Sequence, residues 1–376
     1  MPTIAFDAKR AFHNRTGLGN YSRFLLSGLA AMDTPYRLLL MNPKPGELFA
    51  ERSAKLEEIQ PQGIYRLLTA LWRSGGMWRE LRDEQVDIYH GLSGELPSGL
   101  DKQKIASVVT IHDLIFESHP QFYKPVDRLI YRHKFRSAVR QASKVVSVSA
   151  YTKNELVRLY GVDENKIEVH YQSCHPAFRM SASTQADQEK LAHLALPDEY
   201  ALSVGTIEER KNLLNVLKAI VSIPDLPLVV VGRGGAYAER CKLFAKENGL
   251  SNRIIWIEKI EPEELAALYR LAKVFLYPSK IEGFGIPIIE ALFSRTPVIT
   301  SAGGVFPEAG GPGSLYIDPD SPESIQDALE RILGDEGFQI SMKEDGLDHA
   351  HKHFLPENLI DGMLHLYEKL LPTPAS

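Results

Sequence analysis

The sequence predicts an α/β protein of two doubly wound, Rossmann-like domains, and three observations carry that prediction. At 376 residues the chain exceeds what one hydrophobic core usually organises. Short apolar runs rich in Val, Ile and Tyr recur along it, each followed by a glycine or polar turn and then a longer stretch of helical period. The runs are apolar throughout rather than alternating, as strands of a parallel sheet covered on both faces are.

Taken in order, the first half predicts strands at 3–6, 36–41, 86–90, 105–111, 144–149 and 166–171. The second half repeats the scheme at 200–204, 226–231, 253–257, 273–277, 297–301 and 315–317. From about 176 to 197 the apolar period fades into Ser, Ala, Gln and Pro, as a linker with a small lead-in helix would. The expected domains are 1–180, 181–355 and a last helical segment, 356–376. Open parallel sheets bind ligands at the carboxyl ends of their strands, so the expected site is a central cleft that the two domains face.

Bulk properties exclude several classes. A formal net charge of -5 lacks the basic footprint of a nucleic-acid binder, so no nucleic-acid partner is expected. Two isolated cysteines, Cys174 and Cys241, match neither a zinc pattern nor a redox pair and fit a reducing cytoplasm. The N-terminus begins with strand-like sequence rather than a signal peptide, and no apolar run approaches the ~20 residues of a membrane span. The expected location is cytoplasmic, with peripheral attachment at the inner face of the cytoplasmic membrane as its variant.

The most informative run is Ser-Lys-Ile-Glu-Gly-Phe-Gly-Ile-Pro-Ile-Ile-Glu, residues 279–290. Glu282 and Glu290 flank Gly283, Phe284, Gly285 and Ile286, a glycine turn opening into a helix with Pro287 suited to its first position. Glycines let a ligand approach backbone N–H groups, and a helix N-terminus favours anions. Two carboxylates are poor phosphate ligands but good acceptors for sugar hydroxyls. Anion plus hydroxyls points to a nucleotide sugar.

Other strand ends supply candidate partners. Gly17 and Gly19 sit in a strand-to-helix turn, where close approach to a ligand and a plain tight turn are equal readings. His112, with Asp113, ends the fourth predicted strand, where it can donate to a sugar hydroxyl or sit beside developing positive charge; the alternative is a turn cap. Gly205 and Thr206 follow the first strand of the second half, ahead of Arg210 and Lys211. Those two cations suit a diphosphate leaving group, and as mere surface charges at a helix start they would oppose its dipole. The Gly232–Gly235 turn reads as scaffold.

Three patterns read as something other than sites. Asp318 and Asp320 look like a metal pair but fit a helix start at Ser321-Pro322. His349, His351 and His353 alternate at a period that gathers side chains only in a strand, within a segment that looks helical or irregular. Serines 147, 149 and 203 lack a nucleophile elbow, and Ser149 reads as a helix cap. Residues 65–82 interleave Trp72, Trp78 and leucines with arginines, and 127–144 is also basic. Either these are amphipathic helices packed on the core, or they are an interfacial surface for anionic lipid.

Together these residues resemble the retaining glycosyltransferases of family 4, the glycosyltransferase group 1 family. The resemblance covers most of the chain and rests above all on the two glutamates Glu282 and Glu290, seven residues apart, with Gly-Phe-Gly between them. It implies the GT-B fold, with an acceptor-side domain at 1–180, a nucleotide-sugar domain at 181–355, and a segment 356–376 that crosses back to the first domain. It implies that Glu282 and the amides of Phe284, Gly285 and Ile286 hold the donor sugar, and that Glu290 binds the ribose. Arg210 and Lys211 face the diphosphate, His112 contacts the transferred sugar, and the base lies near Ile257. Many members carry Arg where this chain has Thr206.

The implied activity is metal-independent, retaining transfer of a hexose from a nucleoside diphosphate sugar, with no cofactor, to a glycan or lipid-linked glycan. The Gly-Thr…Arg-Lys-Asn form looks like mannosyltransferases of surface polysaccharide assembly, so GDP-mannose leads, with UDP-glucose and UDP-N-acetylglucosamine as alternatives. A noncatalytic nucleotide-sugar-binding module is the reading from another class. A nicotinamide oxidoreductase is disfavoured, because no early Gly-x-Gly-x-x-Gly is followed by an acidic residue.

Overall fold

A computed structural model describes residues 1–49, 53 and 55–371; the end of the expected last segment, 372–376, lies outside the described residues. The chain divides into two compact units, Met1–Gln172 with the chain from Pro356 onward, and Ser173–Leu355. The division falls at 172/173 rather than the expected 180/181.

The first unit holds β1 (Thr3–Asp7), β2 (Arg37–Met41), β3 (Leu56–Ile59), β4 (Ile88–Gly91), β5 (Ala106–Ile111), β6 (Lys144–Ser147) and β7 (Ile167–Val169). They form one parallel sheet in the order β3-β2-β1-β4-β5-β6-β7. Successive residues of β1 feed opposite faces: Ile4 and Phe6 enter one apolar cluster, Ala5 another. This two-sided burial is why the strand sequences read as continuous apolar runs. β3 is the exception, an edge strand reading Leu-Glu-Glu-Ile with its glutamates exposed.

The helix Pro356–Leu370 belongs to this unit. Its Ile360, Met363, Leu366 and Tyr367, at helical spacing, join the cluster over β1 and β4. Each fully buried aliphatic side chain contributes ~1.5–3 kcal/mol, which suffices to dock the helix. Gly28, in the helix Gly17–Ala31, makes the close approach: a Cβ there would stand 2.5 Å from Ile360 Cδ1.

The second unit holds β8 (Ala201–Val204), β9 (Leu228–Val231), β10 (Ile254–Ile257), β11 (Val274–Tyr277), β12 (Val298–Ser301) and β13 (Ser314–Ile317), all parallel in the order β10-β9-β8-β11-β12-β13. Each sheet changes direction of growth once, between β1 and β4 and between β8 and β11. Those switch points leave crevices at the strands' carboxyl ends, where ligands of this architecture bind.

The linker expected at 176–197 is folded and integral to the second unit. Its helix Thr184–Leu191 packs on the helix Pro262–Leu271, where Asp187 takes a two-point contact from Arg270 at 2.6 and 2.7 Å. A polar composition hid a buried ion pair. The segment 65–82 divides between its two readings: Trp72, Met77 and Leu81 are in the core, while Leu67 is 86% exposed and Trp78 44%. No described helix is long and apolar enough to cross a membrane.

Candidate functional site

In the second unit, the loops after β8 and β11 lie side by side because those strands are neighbours. Gly205 follows β8 at φ +140°, a conformation that favours glycine, and a Cβ on Gly232 would come 1.9 Å from its carbonyl oxygen. The chain then passes through exposed Thr206 into the 3₁₀ turn Glu209–Lys211. Asn212, also left-handed, anchors the turn by donating Nδ2 to the carbonyls of Pro278 (3.2 Å) and Pro319 (2.6 Å).

This anchoring delivers Arg210 and Lys211 to Glu282 of the loop after β11. Lys211 Nζ stands 2.7 Å from Glu282 Oε1, and Arg210 Nη1 stands 2.7 Å from Oε2. Arg210 also donates to the Ile281 carbonyl at 2.9 Å and to Glu208 at 2.7 Å. Burial pushes the Glu282 carboxyl up, but the two cations outweigh it and hold the group at about 2. Burial lowers the Lys211 ammonium despite Glu282, whereas Glu282 and Glu208 overcome the burial of Arg210 and raise it. The centre is a carboxylate bound to two cations, the charge pattern a diphosphate would present to the same pair.

The helix Ile286–Phe293 starts directly after Gly285, which sits at φ +111° as its N-cap. Pro287 occupies the second helical position, still in the first turn, where an N–H has no partner to lose. Gly283 lies in the turn, and the Phe284 side chain is turned into the core with its ring edge-on to Phe354 at 5.7 Å. Only the backbone of Phe284 is therefore available to a ligand. Glu290, one turn along the helix, differs from Glu282: among the described residues it pairs with no cation, and it accepts from the Tyr269 hydroxyl at 3.2 Å. Burial raises its carboxyl to about 7, against that hydrogen bond.

Two tyrosines at this centre were not anticipated. Tyr277 accepts from Lys211 at 2.6 Å and lies under the same ammonium, 4.7 Å from ring centre. As a polar residue ending a buried strand it carried the signal that singled out His112. Tyr269, inside the helix Pro262–Leu271, carried none. Ile257 ends β10 as expected, but its side chain is buried and its carbonyl accepts from Gly232 N at 2.8 Å.

In the first unit, His112 follows β5 and its Nε2 lies 2.9 Å from the Leu92 carbonyl. A carbonyl only accepts, so Nε2 carries the proton and Nδ1 the lone pair. Burial holds the ring at about 4, with Arg10 adding to the effect and the Leu92 bond opposing it. The ring is thus neutral at ordinary pH, with Nε2 engaged and Nδ1 an acceptor rather than a donor, and a neutral ring suits the other expected role, a place beside developing positive charge. The Tyr21 ring meets it edge-on at 4.6 Å. Tyr21 OH pairs with Thr110 Oγ1 (3.0 Å), Thr110 with His90 Nε2 (2.8 Å), and His90 Nδ1 with Tyr367 OH (2.7 Å). This buried chain ties the docked helix Pro356–Leu370 to the packing around His112.

The two glycines of the first turn separate in role. A Cβ on Gly19 would lie 1.9 Å from the Asn14 carbonyl, so packing alone demands glycine there, whereas Gly17 faces open space. Of the set-aside patterns, Ser149 caps the helix Ala150–Tyr160 through Thr152 N at 3.0 Å, and Ser321 caps Pro322–Gly334. His349 and His353 lie on the helix Glu336–His353 with rings 4.8 Å apart, and His349 bonds the Glu308 carbonyl at 3.1 Å. Among the described residues no three His, Cys, Asp or Glu side chains gather as a metal cluster.

Known proteins resemble this chain along most of its length. A family model described as Glycosyltransferase Family 4 matches residues 15–174, and one described as Glycosyl transferases group 1 matches 186–348. The O-antigen chain mannosyltransferase B of Escherichia coli is 27% identical over 389 residues, covering 98% of this chain and 100% of its own. The O-antigen chain mannosyltransferase RfbU of Salmonella typhimurium is 30% identical over 225 residues, 60% of each chain. Among solved structures, sucrose-phosphate synthase from Thermosynechococcus elongatus superposes with a TM-score of 0.81 at 23% identity, covering 98% of this chain and 99% of its own.

Proposed function

This chain belongs to the group 1 glycosyltransferases of family 4, with the GT-B fold, and we propose that it transfers mannose from GDP-mannose, with retention, to a growing surface glycan. The observation that carries the donor chemistry is the carboxylate of Glu282 held by Arg210 and Lys211 beside the N-terminus of Ile286–Phe293. The sugar and the acceptor class rest on likeness to the two O-antigen mannosyltransferases. A lipid-linked glycan is the form of acceptor we favour.

On this reading the diphosphate binds Arg210 and Lys211, displacing Glu282 from part of its present contacts. The freed carboxylate and the Phe284, Gly285 and Ile286 amides then take hydroxyls of the sugar. Glu290 accepts from the ribose hydroxyls, Gly205 and Thr206 border the phosphates, and His112 accepts from a hydroxyl through Nδ1. The bond from the anomeric carbon to the β-phosphate oxygen breaks with its electron pair going to that oxygen. The acceptor hydroxyl attacks from the same face, and its proton passes to the departing phosphate. Arg210 and Lys211 stabilise the developing charge, so the proposed step needs neither a metal nor a protein nucleophile.

A thermal-shift panel of nucleotide sugars tests the donor, since the right one stabilises by mass action. GDP-mannose should give the largest shift, undiminished by EDTA, and transfer should follow for that donor. A larger shift with UDP-glucose or UDP-N-acetylglucosamine would replace the donor assignment. Shifts without transfer to any glycan would favour a binding module.

A further inference from the structure

Four buried polar groups of the first unit take no part in the proposed transfer, yet they lead to His112. Tyr21, on the helix Gly17–Ala31, is linked through Thr110 of β5 and His90 of β4 to Tyr367 of the helix Pro356–Leu370. All four side chains are buried, and the three hydrogen bonds are 3.0, 2.8 and 2.7 Å long. Burial drives the His90 ring down to about 3, so it is neutral at ordinary pH, with one nitrogen donating and the other accepting.

Packing alone does not require these groups. Phe6 has its ring centre 6.0 Å from that of His90 and 6.2 Å from that of Tyr367, and Ile4, Leu25 and Ile360 belong to the same cluster. Aliphatic or phenyl side chains would fill such a place with no polar atom to satisfy. A fully satisfied buried network instead holds its members in one arrangement. What this one holds is the Tyr21 ring, which stands at 84° to the His112 imidazole with centres 4.6 Å apart.

His112 depends on that neighbour. Among the described residues one hydrogen bond holds its ring, from Nε2 to the Leu92 carbonyl at 2.9 Å. Such a bond fixes one corner of the ring and tolerates a range of ring planes. The direction of Nδ1, the atom that the proposed reaction uses, is therefore set by a second contact. Tyr21 supplies it from the side, and Thr110, two residues before His112, holds the Tyr21 hydroxyl in register.

We infer that Tyr21 is a positioning residue for His112, locked in place by the chain through Thr110 and His90 to Tyr367. It acts through His112 and does not itself touch the donor. Its bearing on transfer rests on the role proposed for His112, whereas its hold on the ring does not.

Proton–carbon spectra of the full chain with labelled histidines test it, the His112 signal being identified by its loss in His112→Asn. In Tyr21→Leu that signal should move or split. Tyr21→Phe keeps the ring, loses the Thr110 bond and should lie between Leu and the parent. With GDP-mannose as donor, kcat should fall at least about tenfold in Tyr21→Leu and about threefold in Tyr21→Phe, with GDP affinity within about twofold of the parent. The phosphate cations lie in the other unit, which is why GDP affinity should hold. A parent-like His112 signal in Tyr21→Leu, equal losses in the two variants, or GDP binding lost along with turnover would overturn the inference. If Tyr21→Leu fails to fold, a parent-like His112 signal in Tyr21→Phe overturns it. Altered signals with unchanged turnover would instead remove His112 from the reaction and leave its positioning by Tyr21 standing.

Discussion

Replacing Glu282 by Gln should destabilise the second unit yet improve its grip on a nucleoside diphosphate. The carboxylate is held at about 2 against an ordinary value of 4.5. At 1.36 kcal/mol per unit the difference corresponds to about 3 kcal/mol, near the low end of the ~3–5 kcal/mol lost when one partner of a buried ion pair is removed. A carboxyl depressed by folding contributes stability that is present above about 4.5 and lost as pH falls through about 2. The variant should therefore melt about 6–12 °C lower at pH 7, and the gap should narrow progressively below pH 4.5. With the carboxylate gone, Arg210 and Lys211 no longer share themselves with an internal anion. Saturating GDP should consequently raise the variant's melting temperature more than the parent's, while transfer activity falls. Differential scanning fluorimetry from pH 3 to 8, with and without GDP, reads both effects. A variant as stable as the parent at pH 7, or one whose GDP shift is smaller, would refute the reasoning that Glu282 occupies the phosphate cations in the ligand-free protein.

Glu290 should act in the opposite direction: its carboxyl is raised to about 7, so its contribution to stability is present below about 4.5 and lost as pH rises through 7. Glu290→Gln should be more stable than the parent above pH 7, by up to about 3 kcal/mol, and calorimetry should show GDP binding that strengthens through pH 7 in the parent but not in the variant. Gly19→Ala should lose ~1–3 kcal/mol, because the new methyl would meet the Asn14 carbonyl at 1.9 Å, and Gly17→Ala should melt like the parent; equal losses would contradict the packing assigned to Gly19. Tyr367→Phe leaves buried His90 Nδ1 without its 2.7 Å partner and should lose ~1–3 kcal/mol in denaturant unfolding, an outcome that an unchanged midpoint would rule out.

Most strands could be read from the sequence because each lies in a parallel sheet buried on both faces, which leaves uninterrupted Val, Ile and Leu. β3 could not, since an edge strand with Glu57 and Glu58 exposed offers no apolar run. The small helix expected within 176–197 is present, but its packing is not legible for a related reason: Asp187 is buried by pairing with Arg270, eighty-three positions away, and no local pattern announces so distant a partner. The glycine turn and both glutamates were visible as a motif. Tyr269 was not, because a tyrosine inside an amphipathic helix looks like core until Glu290 is found beside it.

The sequence by itself determined which chemical groups stand at the strand ends: glycines at 205 and 285, carboxylates at 282 and 290, cations at 210 and 211, a histidine at 112. These are local facts, set by the order of residues around each apolar run. Only the tertiary structure decided which groups meet and in which ionisation state. Because β8 is a neighbour of β11, Arg210 and Lys211 reach Glu282 and hold it ionised, while Glu290, buried with a single tyrosine hydroxyl, titrates near neutrality. Solvation and neighbouring charge fix a carboxylate's behaviour, and both are properties of the folded surroundings rather than of the residue.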